Sequence, residues 1–180
     1  MANRWLNLLV DVLRSATRPS SRGASRPSST SRRGGAATPA RPASAVGYPG
    51  DFSGTVRPVY SPRPDGEPDP GEVVWTWVPY EEDHAQGKDR PVLLVGRDGR
   101  WLLALQLTSK DHDRDAAQEA RYGRLWMDVG TGAWDSRKRP SEVRLNRVIR
   151  VDPQAVRREG AVMDRRTFDR VARAMADARR

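Results

Sequence analysis

The 180-residue chain contains no cysteine. That excludes a disulfide scaffold, a Cys-ligated zinc site and thiol catalysis, and it fits a reducing cytoplasm. Histidine is almost as scarce. His84 and His112 are the whole supply, too little for a His-built metal centre, and no cofactor or metal is implied. No apolar run exceeds a few residues, so nothing in the sequence reads as a membrane span. The length leaves room for one domain, or one domain plus a tail. Acid is missing from one stretch in particular: residues 15–47 hold six arginines and no Asp or Glu.

That imbalance divides the chain. Residues 1–70 carry 10 of the 14 prolines and set 10 basic against 5 acidic side chains. Residues 18–70 are dominated by Arg, Ser, Pro, Gly and Ala. Such a composition buries too little apolar surface to offset chain entropy. It reads as a disordered tail that passes, over residues 48–70, into an extended arm carrying Phe52, Val59 and Tyr60. Ahead of it, Trp5, Leu6, Leu8, Leu9, Val12 and Leu13 recur at helical spacing, so residues 1–17 read as a short amphipathic helix. Its few apolar residues argue against membrane contact, and Asn7 and Asp11 interrupt any secretory core. A formal net charge of +9 keeps nucleic acid open as a partner, with the basic tail as one place to bind it.

Residues 71–180 hold five of the six tryptophans and read as a single mostly β domain. Glu72-Val73-Val74-Trp75-Thr76-Trp77-Val78 is β-branched and aromatic, a strand that ends at Pro79. After a polar loop over 80–89, Pro91-Val92-Leu93-Leu94-Val95 reads as a buried strand. Arg97-Asp98-Gly99-Arg100 is a hairpin signal, and the chain returns over 101–107. Residues 110–121 form an exposed insertion with one or two helical turns. Strands follow at 125–129 and 142–151, the second alternating Val143 and Leu145 with Arg144, Asn146 and Arg147. Asp164 caps a last helix whose Phe168, Val171, Ala172 and Met175 share one face. Five short strands and a C-terminal helix predict a small, bent antiparallel barrel. Three or four of Trp75, Trp77, Trp101, Trp126 and Trp134 belong to its core, with Trp134 the most exposed.

Four segments resemble the PemK/MazF toxins of type II toxin–antitoxin systems, in that family's order. They are Gly71-Glu72-Val73-Val74-Trp75, Gly87-Lys88-Asp89-Arg90-Pro91-Val92-Leu93-Leu94-Val95, Leu105-Gln106-Leu107-Thr108-Ser109-Lys110, and Val143-Arg144-Leu145-Asn146-Arg147-Val148-Ile149-Arg150-Val151-Asp152. Gln106 stands where the family commonly has proline, and the insertion over 110–123 is long. The family's first-loop acid corresponds to Glu82 or Asp83. The resemblance implies an SH3-like barrel of the CcdB/PemK/MazF type, a homodimer, and an endoribonuclease that cuts single-stranded RNA without metal. It also implies a cognate antitoxin partner. Carried over residue by residue, it makes Arg90 and Thr108 catalytic, with Ser109, Lys88 and Lys110 binding substrate.

The chemistry suits these residue types. RNA supplies its own nucleophile, the ribose 2′-OH, and the protein has to orient it and stabilise charge at phosphorus. An arginine fork matches phosphate oxygens and stays charged. Neither Arg nor Thr titrates near neutrality, so proton transfer needs another group. His84 and His112 are the candidate acid/base residues by their ordinary pKa; the other reading is that both are exposed loop histidines. The Asp- and His-rich run over 111–115 reads as a solvated loop rather than a metal site. A different class of function also fits the same barrel: a non-catalytic nucleic-acid- or protein-binding module, DNA-binding or gyrase-poison-like. A relative with a housekeeping role is a further alternative.

Deleting residues 15–47 removes six positive charges and no negative ones. RNA binding should weaken and its dependence on salt become shallower, because fewer counterions are released. Titrations of the full-length and deleted chains over a salt series measure this. An unchanged slope would show that the tail does not touch RNA.

Overall fold

The computed structural model describes residues 47–110 and 116–179. The helix read over 1–17, the tail over 18–46, His112 and the run over 111–115 lie outside them. The described chain is mostly β with a C-terminal helix. Its elements are β1 (Glu72–Pro79), β2 (Gly87–Asp98), β3 (Trp101–Thr108), α1 (Ala116–Arg121), β4 (Trp126–Gly130), β5 (Ser141–Val151), a 3-10 turn (Pro153–Ala155), β6 (Arg158–Val162) and α2 (Arg165–Ala178). The strands form one antiparallel sheet in the order β4-β5-β3-β2-β1-β6, curled into a half-barrel.

The curl follows from burial on both faces. On one face, Val73, Leu93, Leu105 and Val148 pack with Phe168, Val171 and Met175 of α2. On the other, Val74 and Val78 of β1, Val92 and Leu94 of β2, Leu102 and Ala104 of β3, and Ile149 and Val151 of β5 form one cluster. Side chains of four neighbouring strands can meet in a single cluster only if the sheet wraps around them. The helix that covers the first face begins as its sequence indicates. The Asp164 carboxylate accepts from Thr167 N at 2.9 Å, and Phe168, Val171 and Met175 are buried at i, i+3 and i+7.

The Gly99 turn joins β2 to β3 with Gly99 at φ 58°, in register Asp98↔Trp101. Strand β2 starts earlier than its apolar run suggests, at Gly87, because Val78↔Lys88 and Trp77↔Asp89 are paired. Ladder bonds need only the backbone, so polar residues can extend a strand past its buried part. A sixth strand, β6, adds to the five read from the sequence. It pairs with β1, and its polar Arg158-Glu159-Gly160 run carries no apolar alternation.

The segment ahead of β1 is laced to the sheet without regular secondary structure of its own. Phe52 N donates to Val148 O at 2.8 Å and Val59 N to Val95 O at 2.9 Å. The Tyr60 hydroxyl donates to Met163 O at 2.8 Å, and its ring meets Phe168 edge-on. Gly71 makes the junction. It sits at φ 104°, and a Cβ there would come within 2.9 Å of the Tyr60 ring, so only glycine fits both the conformation and the space.

The tryptophans correct the sequence reading. Trp134, expected to be the exposed one, is 7% exposed, whereas Trp75, Trp77, Trp101 and Trp126 are half-buried. The turn over 131–140 folds back on the core. Trp134 Nε1 donates to Ser141 Oγ at 3.2 Å, and the Trp134 carbonyl accepts from Trp75 Nε1 at 3.0 Å. Trp134→Ala should therefore destabilise the domain by about 3–5 kcal/mol, the usual cost of deleting a buried aromatic ring. Urea denaturation measures this, and a loss below about 1 kcal/mol, typical of surface positions, would contradict the burial.

Candidate active site

The hydrophobic interior of the half-barrel ends in a polar mouth. A cavity of about 270 Å³ opens there, lined by residues of the β1–β2 loop, β2, β3, α1, β4 and β5. Gln106 marks the change from apolar to polar along β3. Val92 pairs with Gln106, and continuing that register two residues sets Thr108 across from Arg90. Both line the cavity. Two residues 18 positions apart thus line one cavity.

Arg90 faces Thr76 across the β1–β2 ladder, and no ion pair holds it among the described residues. Thr108 ends β3, where its Oγ1 accepts from Lys110 N at 3.1 Å. That bond pins the oxygen and leaves the hydroxyl proton free to donate. Lys110 also lines the cavity. Ser109 faces a second, smaller cavity of about 170 Å³ with Trp75, Asp135 and Arg139, and Arg90 and Thr108 line this one too, standing between the two. Lys88 is exposed and lines neither. His84 is half-buried, with its ring edge-on to Tyr48 at 5.0 Å between centroids, and it also lines neither cavity.

Two site arginines escape a reading based on alternation. Arg144 and Arg147 both line the cavity, although residues three apart on a regular strand point to opposite faces. Strand β5 is irregular here: Leu105 pairs with Val148 but Leu107 with Val143. The extra residues of β5 opposite Gln106 form a bulge, which re-aims a side chain. Asn146, within the bulge, accepts from Leu125 N at 3.2 Å and donates to Gly123 O, tying β5 to the segment before β4. The residues that carry the family resemblance include this stretch, and that was the one signal available for it.

Each buried guanidinium is held by a carboxylate from elsewhere. Arg144 Nη1 and Glu81 Oε2 are 2.9 Å apart, and Arg144 Nη2 donates to Glu81 Oε1 at 3.1 Å. Arg147 Nε donates to Asp51 Oδ2 at 2.7 Å. At the rim, Arg124 pairs with Glu82 at 3.6 Å and with Glu119 of α1 at 3.8 Å. The Arg144 Nε is buried with no hydrogen-bond partner among the described residues. A buried donor left unsatisfied costs about 1–3 kcal/mol. With Arg90, Lys110, Arg124, Arg144 and Arg147 against Glu81, Glu82 and Glu119, cations outnumber acids on the wall. The arrangement suits an anionic ligand with several oxygens.

A family profile described as "PemK-like, MazF-like toxin of type II toxin-antitoxin system" matches residues 69–178. Among solved structures, the chain is similar to the crystal structure of MazE-MazF (Form-II) from Deinococcus radiodurans. The TM-score is 0.42 at 20% sequence identity, over 63% of this chain and 96% of that one. No curated protein matches.

The Asp51–Arg147 pair has a pH signature. Burial pushes the Asp51 carboxyl up, but the Arg147 and Tyr48 hydrogen bonds and the Arg147 charge outweigh it and hold the pKa below the ordinary carboxylate value. A lowered folded pKa means that the contribution of the pair is complete above the unfolded value of about 3.9 and fades only as pH falls through the folded one. A carbon-detected NMR titration of Asp51 should give a midpoint below about 3.9. A midpoint at or above that value would contradict the pairing.

Proposed function

Because the chain belongs to the PemK-like, MazF-like toxins of type II toxin–antitoxin systems, we propose that it is an endoribonuclease that cuts single-stranded RNA without a metal ion. The observation that carries this reading is that Arg90, unclaimed by any carboxylate among the described residues, and the pinned Thr108 hydroxyl line one cation-rich cavity.

In the proposed reaction the ribose 2′-oxygen attacks the adjacent phosphorus and the P–O5′ bond breaks. The products are a 2′,3′-cyclic phosphate and a 5′-hydroxyl. Negative charge grows on the non-bridging oxygens, where Arg90 and the Thr108 hydroxyl stabilise it. Arg144 and Lys110 hold neighbouring backbone oxygens. His84 lies away from the cavity; the candidate acceptors for the 2′-proton are the cavity carboxylates Glu81 and Glu82 and, four residues after Thr108, His112. The departing 5′-oxygen takes a proton from solvent water, which balances the one lost by the 2′-OH. Ser109 contacts the strand on the far side of Arg90, in the second cavity.

The wider reading follows the family: a homodimer in the cytoplasm, silenced by a small cognate antitoxin, with the arginine-rich tail adding RNA affinity. Among the described residues no helix is long and apolar enough to cross a membrane.

Incubating the purified chain with single-stranded RNA in EDTA and mapping the ends tests the reading. Cleavage with cyclic-phosphate ends is expected. Arg90→Ala should lower the rate by about 10²–10³-fold, the usual loss for a transition-state donor, and Arg90→Lys should recover little. Thr108→Val should cost on the order of tenfold, the worth of one hydrogen bond. Melting temperatures should hardly change, since both residues lie at the rim and not in the core. Variants that cut like the parent would remove Arg90 and Thr108 from the site. A parent that binds RNA and never cuts it would establish the non-catalytic binding module.

A further inference from the structure

Arg147 is 5% exposed and reaches from the arm side of the sheet to the cavity. Among the described residues its hydrogen bonds all leave from two nitrogens. Nε donates to Asp51 Oδ2 at 2.7 Å. Nη2 donates to Asp51 Oδ1 at 3.3 Å and to Pro79 O at 2.9 Å. Nη1 is the remaining donor, with two N–H groups, on a residue that lines the cavity. The bulge in β5 places this side chain, but a long flexible guanidinium still needs an anchor to present one nitrogen in a fixed direction.

Asp51 is itself held on every side. The Tyr48 hydroxyl donates to its Oδ1, and the His84 ring stands edge-on to Tyr48. Arg150 Nη1 donates to Gly50 O at 3.0 Å and to Asp51 O at 3.1 Å. Phe52 N donates to Val148 O, fixing the arm against β5 one residue beyond Arg147. Tyr48, Asp51 and Phe52 all precede residue 69, where the match to the toxin family begins. A part of the chain outside the family's domain therefore sets a side chain inside its cavity.

We propose that Asp51 is a positioning residue for RNA binding, acting through Arg147, whose Nη1 grips a backbone phosphate beside the one that is cut. This rests on the ribonuclease reading above. The two-point grip of carboxylate on Nε and Nη2 aims Nη1 and delocalised charge at the strand, and the arm is thereby a working part of the site. The plainer role, a clamp that merely keeps the arm down, makes a different forecast. The arm has other anchors, in Phe52 N–Val148 O, Val59 N–Val95 O and Tyr60 Oη–Met163 O. Loss of Asp51 should then cost stability without unfolding the domain, and leave the RNA loosely held.

A double-mutant cycle in the full chain decides it. Asp51→Asn, Arg147→Gln and the combined variant are compared with the parent. Binding is read by anisotropy of a single-stranded oligonucleotide with 2′-deoxy sugars, which cannot be cut by its own 2′-OH, and KM and kcat are read on the RNA itself. Asp51→Asn should weaken binding and raise KM by about tenfold, the scale of one charge-assisted hydrogen bond, while kcat changes much less. The combined variant should be no weaker than Arg147→Gln alone. Tyr48→Phe, which frees one side of Asp51, should shift KM the same way by less, and it keeps the test open if Asp51→Asn folds poorly. Asp65→Asn, on the exposed part of the arm, should match the parent. The proposal is overturned if Asp51→Asn binds like the parent, or if the two losses multiply in the combined variant. If the parent cuts RNA and Asp51→Asn binds normally, the positioning role alone falls. If the parent binds the oligonucleotide and never cuts RNA, the ribonuclease reading falls, and the binding half of the cycle still decides the role of Asp51.

Discussion

A sheet that buries side chains on both faces has to cover both, and here only one face has a helix. The other is covered by the sheet itself, which wraps β1, β2, β3 and β5 around a shared cluster that includes Val78, Val92, Ala104 and Ile149. Wrapping creates an interior, and an interior has an end. At that end the strands run out of apolar residues: Val92 gives way to Arg90, Ala104 to Gln106 and Thr108, Ile149 to Arg147. The cavity is the polar rim of the curl, and its residues converge because their strands do.

The rim is positively charged, and charge is hard to bury. A guanidinium withdrawn from water needs a partner, because the desolvation penalty is large and removing one member of a buried pair is strongly destabilising. The partners come from places far apart in sequence: Glu81 from the β1–β2 loop, Asp51 from the arm, and Glu119 of α1 for the more exposed Arg124. The result is a set of donors fixed before any ligand arrives. Such preorganisation is what makes electrostatic stabilisation effective, since no reorganisation is needed when charge develops. Arg90 differs from the other arginines of the cavity in having no carboxylate partner among the described residues, which suits it to the reacting phosphate rather than to the scaffold.

Strands β1 to β3, the Gly99 hairpin and the capped helix α2 were legible in the sequence because each has a local signature: β-branched runs, a turn glycine, a 3.6-residue repeat behind Asp164. The juxtaposition of Arg90 and Thr108 was legible only through family resemblance, since nothing local says that residues 90 and 108 share a register. Three features had no local signature. β6 is held by pairing with β1 and carries Arg158-Glu159-Gly160 where a pattern would be sought. Trp134 sits in a turn, yet its segment folds over the core and is fastened through Ser141 and Trp75. Arg144 and Arg147 look like one polar and one misplaced residue until the bulge opposite Gln106 turns both toward the cavity. His84 shows the converse. Its ordinary pKa made it a candidate for proton transfer, but its position against Tyr48 takes it away from the cavity.

In the proposed reaction the nucleophile belongs to the RNA, and the protein supplies charge and position. The most direct measurement is cleavage of an RNA carrying a single 2′-deoxy sugar at the nucleotide on the 5′ side of the cut. Binding should be retained and cutting at that position abolished, with no product even at long times. Continued cutting there at the parent rate would mean that another nucleophile attacks the phosphorus, and the roles assigned to Arg90 and Thr108 would have to be given up.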